Sequence, residues 1–417
     1  MHSFAHLSDV HVGAFRQPVL QNLVLKAFES AMDVCTQRKV DFVIISGDLF
    51  DSNIPDMALV NSTVRKIKEV RNEGIEFYVV YGSHDFSPTQ TSIVDILETA
   101  GLFTKVTRGR VKDGKLELDF CIDQRTRAKL CGISGRRLGI EKEYFQILDR
   151  ERLEREEGFK VFVLHGPISE FKPEYLAEAE SVPLSTLPRG FAYYAGGHIH
   201  EKLRGKEYGY NVAYPGTLFG GDYLDLEKSA KGQERGLFIV TFSDEVEDTE
   251  FVPIRVCDYE STEYDATDKN AVRVQNELFR LVEKAQPAKK IVLLRVAGEM
   301  SGGKTSDIGF QRMRKVLKDN GALEVLLNYQ KLTSKEYAAV EVAGQNTDEI
   351  EERLFKENIG GVKISDPKLK GSSGIKLSHE LLDVLREAKK ENEAKSSYES
   401  RTIVAAVQTL GLKEALE

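Results

Sequence analysis

The sequence predicts an α/β protein: a two-layered β-sandwich flanked by helices, followed by a small α+β domain and a C-terminal helical tail. Three observations carry this. Through about residue 255, short apolar runs alternate with amphipathic segments, the rhythm of strands and helices in a layered α/β fold. Near 209–219 and 235–256 the pattern alternates more like hairpin strands, as expected if a second sheet packs on the first. At 257–269 the polar, acidic stretch CDYESTEYDATDK interrupts the apolar pattern and marks a boundary.

The runs FAHLS (4–8), FVIIS (42–46), FYVVY (77–81), VFVL (161–164) and YYAGG (193–197) each read as a buried strand. Between the first three, Leu20, Leu23, Val24, Ala27, Phe28 and Ala31, and then Val60, Val64, Ile67 and Val70, recur at helical spacing, so these are βαβ units. Past the boundary, KKIVLLRVAG (289–298), a helical stretch at about 307–319, LEVLLNYQ (323–330), YAAVEVA (337–343) and a helix near 347–357 predict the small domain. SDPKLKGSSG (365–374) has linker composition. Two helical patterns close the chain. The expected organisation is therefore 1–255, 271–360, a linker at 361–374 and a helical tail at 375–417 that docks on a partner.

Composition narrows the function. With 41% hydrophobic and 30% charged residues in 417, the chain can bury a core and is not disordered. Its apolar runs reach about five residues, far short of the roughly 20 that cross a bilayer, so no membrane span is expected. The opening MHSFAHLSDVH has no basic n-region and meets a charge at Asp9, so it does not read as a signal peptide, and a cytoplasmic location is expected. Four scattered cysteines without a C-x-x-C pair argue against a zinc ribbon or a disulfide framework. The net charge of −8 disfavours nonspecific nucleic-acid binding, but partner choice follows local potential. Residues 105–142 carry eleven Lys/Arg against five acids, a net +6.

The chemistry lies in the histidines. Five of the eight follow predicted strands: His11 in DVH, His84 in GSHD, His165 in LHG, and His198 with His200 in GGHIH. With Asp9, Asp48 and Asp51, every apolar strand named above ends in a potential metal ligand, and sites of open parallel sheets form beyond the carboxyl ends of their strands. Each motif alone is weak; five in this order are strong. Mixed carboxylate and imidazole donors suit Mn²⁺, Fe or Zn²⁺ better than Ca²⁺. His6, inside the first strand, reads as a core histidine.

The motif order D-x-H, G-D-x-x-D, G-x-H-D, H and G-H-x-H resembles the calcineurin-like metallophosphoesterases over about the first 255 residues. The domains that follow resemble those of the SbcD-type DNA double-strand-break repair nucleases. The resemblance implies two Mn²⁺ ions, or Mg²⁺ or another divalent ion in their place, with Asp9, His11 and His200 on one, His165 and His198 on the other, and Asp48 bridging. It makes His84 a non-ligand catalytic histidine whose tautomer Asp85 would fix, with Asp51 orienting a ligand. It further implies exonuclease activity on duplex ends, endonuclease activity on single strands, a homodimer, and an SMC-like ABC ATPase of the SbcC type held through the C-terminal helices. Candidate DNA-backbone contacts are Arg108, Arg110, Arg125, Arg127, Arg136 and Arg137 in the basic stretch, and Arg312, Arg314, Lys315 and Lys318 in the small domain; a solvated basic face is the plain alternative.

The five motifs mark a metal centre and not its substrate, so a small-molecule phosphodiesterase or nucleotide phosphatase shares the pattern. One position departs from the family: Ser83 stands where the family's motif has Asn, and a hydroxyl is shorter than an amide as a ligand for the second ion. A DNA-end-binding scaffold with attenuated catalysis is the corresponding third reading. Replacing Ser83 by Asn should tighten metal binding; equal manganese titrations of the two proteins would refute this.

Overall fold

The structure is a computed structural model, and it describes residues 1–85, 91–135, 141–335, 351–352, 355–356, 371–388 and 395–411. The chain divides into two compact units, 1–333 and 334–417. In the first unit, one six-stranded sheet runs in the order Val246–Pro253, Gly236–Phe242, His2–Leu7, Phe42–Ser46, Glu76–Val80, Thr104–Lys105. A second runs Leu203–Glu207, Tyr210–Tyr214, Tyr193–Gly197, Lys160–His165, Lys129–Ile133, Cys121–Ile122.

The central strands of both sheets are parallel, His2–Leu7 with Phe42–Ser46 and Glu76–Val80 in one, Lys129–Ile133 with Lys160–His165 and Tyr193–Gly197 in the other. Successive side chains on a strand point to opposite faces, and here both faces are covered. Phe4, Phe42 and Ile44 meet Val161, Val163, Tyr193 and Ala195 between the sheets. The alternate residues Ala5, Leu7, Val43 and Ile45 meet Leu20, Val24, Ala27, Phe28 and Ile67 of the outer helices Pro18–Arg38 and Met57–Asn72. Double coverage is why these strands read as unbroken apolar runs. The 209–219 and 235–256 stretches do form antiparallel pairs, but each extends the edge of a different sheet.

In a smaller four-stranded sheet, the strands Asp258–Asp265, Lys290–Met300 and Glu324–Asn328 pair in parallel and belong to the same unit. Ile291, Leu293 and Leu326 on one face share a core with Leu218, Leu226 and Ile254, while Val292, Leu294 and Val325 pack on the helices Ala271–Lys284 and Phe310–Asp319. The polar segment read as a boundary is thus largely strand.

In the second unit the helices Gly371–Arg386 and Lys395–Thr409 pack together, with Arg401 paired to Glu387. The expected strand 337–343 and linker residues 361–370 lie outside the described residues, as does most of the expected helix 347–357. Residues 371–374 open a helix instead of ending a linker, because small and polar residues cost little in a first turn whose N–H groups have no intrahelical partner. All four cysteines are free thiols, and no described helix is long and apolar enough to cross a membrane.

His6 is the satisfied core histidine its position suggested. Its Nδ1 lies 3.1 Å from Tyr193 Oη and its Nε2 2.9 Å from Ser46 Oγ, and burial lowers its pKa to about 3. The unfolded imidazole titrates near 6.5, so below that pH the unfolded chain takes up a proton the native one refuses. The resulting stability is complete above pH 6.5 and lost as pH falls toward about 3. His6→Gln should therefore reduce the loss of unfolding free energy between pH 7 and 4.5 by about 2–3 kcal/mol in urea titrations; an unchanged acid loss would refute the buried neutral imidazole.

Candidate metal centre

The parallel strands deliver their carboxyl ends to one edge of the sandwich, and the expected side chains gather there. Three sets of donor atoms each fall within 4.8 Å of one another: Asp9, His11 and His200; Asp9, Asp48 and His165; and His11, Asp48 and His84. This differs from the expected division in two ways. Asp9 as well as Asp48 lies between the histidine groups, and His198 belongs to none of the three sets, although its ring centroid is 5.3 Å from that of His165.

The hydrogen bonds fix which nitrogen of each ring faces the centre. His165 Nδ1 lies 2.8 Å from the Ser46 carbonyl, and a carbonyl only accepts, so Nδ1 carries the proton. Its buried Nε2 then points inward, 3.2 Å from Asp48 Oδ2 but without hydrogen-bond alignment. His200 Nδ1 donates to Asp225 Oδ2 at 2.7 Å, and His84 Nδ1 donates to the Asp51 carbonyl at 2.6 Å. His11 Nδ1 sits 3.2 Å from Asp51 Oδ1, off the line of a good hydrogen bond. His11 Nε2 and His200 Nε2 face each other at 3.2 Å, and since the His200 lone pair points into this contact, a proton on His11 Nε2 or a cation must lie between them.

The electrostatics agree. Burial opposes protonation of His11, but contact with Asp51 and the charges of Asp48 and Asp9 hold it at about 9. His165 is likewise disfavoured by burial and raised to about 10 by Asp48. Asp48 is held well below the carboxylate range: burial pushes upward, and the His165 charge overcomes it. His198, which the carboxylates touch less, is lowered to about 4 by burial and by His165. A field that retains protons on two imidazoles is one for which a divalent cation competes. The buried, inward nitrogens and paired carboxylates therefore fit a metal centre.

The backbone is shaped to the same end. Asp9, His11, Asp48 and His198 all have positive φ, at 49°, 51°, 51° and 85°, a conformation costing L-residues about 1–2 kcal/mol each. Both Asp9 oxygens lie 3.0 Å from the His198 N–H, and Asp48 Oδ1 accepts from His84 N at 2.8 Å. Gly82 is required by close approach, since a Cβ there would lie 2.0 Å from Asp48 Oδ1. Ser83 Oγ donates to Asp48 Oδ2 at 3.3 Å, so the residue in the family's Asn position sits on the shared carboxylate.

One assignment is corrected. Asp85 does not orient His84: its carboxylate accepts from the N–H groups of Asp48 and Gly82, both at 2.9 Å, and it shapes the turn that carries Asp48. These backbone donors, buried with it, lie within direct reach, and the Asp51 carbonyl takes the His84 proton. Burial and the Asp48 charge raise Asp85 to about 6. Asp51 Oδ1 lies 3.2 Å from His11 Nδ1 without aligning as a hydrogen bond.

Sequence reasoning misses Asp225. It caps nothing apparent in the sequence, yet on the helix Tyr223–Ala230 it binds His200, the Gly221 N–H at 2.8 Å and the buried Arg235 at 3.3 Å. The spacing Asp222–Asp225 at a helix start is the available signal.

Much of the basic stretch is neutralised locally. Arg108 pairs with Glu98, Arg110 with Glu117, Arg125 with Asp41, and Lys129 with Glu156. Arg127 is exposed, and Arg136 and Arg137 lie outside the described residues. On the small layer Lys318 binds the Leu323 carbonyl and Glu324, and Arg312 covers the Phe279 ring; Lys315 is exposed and Arg314 half-buried.

Residues 2–202 match the family described as calcineurin-like phosphoesterase. The sandwich, the converging strand ends and this match define a calcineurin-like metallophosphoesterase domain over residues 2–202. Among its relatives are proteins named DNA double-strand break repair protein Mre11. That of Archaeoglobus fulgidus is 28% identical over 258 residues, 58% of this chain and 54% of the relative. That of Methanopyrus kandleri is 26% identical over 300 residues, 69% and 64% respectively. That of Sulfolobus acidocaldarius is 25% identical over 297 residues, 69% and 72%. The match thus spans about half to two thirds of the length of the first two.

A partner that fixes the tautomer of a metal-binding histidine is worth about 10–100-fold in metal affinity. Asp225→Asn should weaken manganese binding by roughly the lower end of that range in calorimetric titrations; wild-type affinity would show that His200 needs no such partner.

Proposed function

We propose that the chain is a metal-dependent DNA nuclease that processes double-strand-break ends, an exonuclease on duplex ends and an endonuclease on single strands. The observation that carries this reading is the 3.2 Å approach of the His11 and His200 Nε2 atoms beside Asp9, Asp48 and His165, in a chain whose curated relatives are repair proteins. Asp9, His11 and His200 would hold one Mn²⁺, and His165 with Asp48 the other, with Asp9 or Asp48 shared and His198 closing the second set. A bound pair of such ions supplies polarisation of the phosphoryl oxygens and lowers the pKa of an attacking water.

The chain's own residues do the rest. Asp225 holds the outer nitrogen of His200, and Asp51 lies beside that of His11. His84, 44% exposed, has its Nδ1 proton committed to the Asp51 carbonyl, which leaves Nε2 as the atom that holds or delivers a proton at the departing oxygen. Among the described candidates for backbone contact, Arg127 and Lys315 are exposed. A homodimer, and an SMC-like ABC ATPase of the SbcC type bound through the C-terminal helices, complete the reading.

The test is degradation of end-labelled linear duplex in manganese, with and without chelator, beside His84→Ser. The reading predicts chelator-sensitive cutting by the wild type and a loss of about 10²–10⁴-fold in the variant with metal retained. Hydrolysis of nucleotides or small phosphodiesters with DNA left intact would favour a phosphatase; metal and DNA binding without cutting would favour a scaffold.

A further inference from the structure

The helix Tyr223–Ala230 touches the metal centre and the small sheet with residues two apart. Asp225 faces inward: it accepts from His200 Nδ1 at 2.7 Å, and Arg235 ties its carbonyl at 2.7 Å to Thr217 at 3.0 Å. Lys228 makes a second link to the same loop, 2.6 Å from the carboxylate of Glu201, the residue after His200. Glu227 faces the other way. Its carboxylate, 7% exposed, takes a two-pronged bond from the guanidinium of Arg295, 22% exposed, with Nε to Oε1 at 2.7 Å. Arg295 lies in the strand Lys290–Met300 of the small sheet, and its guanidinium sits 5.7 Å from the Tyr223 ring centre.

A planar guanidinium gripping a carboxylate with both prongs fixes orientation as well as distance. Leu226, between the two acids, is fully buried in the core that Ile291, Leu293 and Leu326 of the small sheet share. The helix is short, eight residues, and its start is set by Asp222 accepting from Asp225 N at 2.9 Å. Rotation that releases Glu227 from Arg295 therefore also moves Asp225 relative to His200.

We propose that Glu227 and Arg295 are positioning residues that couple the seating of the small sheet to the metal affinity of the His200 side of the centre. The coupling is reciprocal: a seated sheet holds Asp225 on His200 and tightens the metal, and a bound metal stabilises the seated sheet. Since the small layer is the candidate DNA-contacting element, a duplex that displaced it would change metal occupancy at a distance. The inference rests on the metal-centre reading and not on the nuclease reading, because metal binding is measured without cleavage.

Manganese titration calorimetry on the full chain tests it. Arg295→Gln and Glu227→Gln should each weaken binding several-fold, up to about 10-fold, and the double variant should be no weaker than either single one, the signature of one shared interaction. Lys231→Ala, which removes the exposed Lys231–Glu263 pair between the same helix and sheet, should bind as the wild type does. Wild-type affinity in both single variants while Asp225→Asn is weakened would overturn the coupling. Wild-type affinity in all three would overturn the coupling and show that His200 needs no such partner, whereas absence of manganese binding by the wild type would overturn the metal-centre reading itself. If a variant fails to fold, hydrogen exchange on the unaltered protein decides the same question: added manganese should slow exchange at 223–230 and at 292–298 together, and protection confined to the helix would refute the proposal.

Discussion

Two imidazole nitrogens, His11 Nε2 and His200 Nε2, face each other at 3.2 Å with the opposite nitrogen of each ring turned toward a carboxylate. With its Nδ1 proton committed to Asp225, neutral His200 presents a lone pair there, so the contact is favourable only with a proton on His11 Nε2 or a cation between the rings. Asp9, Asp48 and Asp51 supply the compensating field, and the same field drives His11 and His165 to hold protons well above the ordinary imidazole range. The site is thus built to take up positive charge, from protons or from a metal, and much of the surrounding architecture serves to keep these groups in place.

The architecture achieves this through strand ends. Parallel strands buried on both faces are rigid, and they stop at the same edge, so residues nearly two hundred positions apart meet there. The cost appears locally as left-handed backbone at Asp9, His11, Asp48 and His198. Polar bonds between the sheets offset part of it: His165 donates to Ser46 O, and Ser46 Oγ to Ala195 O at 3.1 Å. Asp85 adds to this by gripping the amides of Asp48 and Gly82. The helix Tyr223–Ala230 extends the support outward, from His200 through Asp225 to Glu227 and the small sheet.

How much of this was legible in the sequence depended on whether the signal was local. The five strand-end motifs placed Asp9, His11, Asp48, His84, His165 and His200 at one site because strand periodicity and the following polar residues are neighbours in the chain. His198 reads equally well as a motif, and its ring centre lies 5.3 Å from that of His165, yet it falls outside the three tightest donor sets, a distinction that spacing does not reveal. Asp225 was invisible because its partner is 25 residues earlier and its own segment reads only as a helix start. The net +6 of 105–142 misled in the same way: Asp41, Glu98 and Glu156, which neutralise Arg125, Arg108 and Lys129, lie outside that stretch. Asp85 beside His84 looked like its partner, whereas the turn points the carboxylate at backbone amides.

The central claim is that these side chains form a cation-binding cage. The most direct measurement is anomalous diffraction at the manganese absorption edge from crystals grown with Mn²⁺. The account predicts one peak bonded to Asp9, His11 and His200 and a second beside Asp48 and His165. Full-occupancy peaks elsewhere, with His11 and His200 turned apart and no scatterer between them, would contradict it.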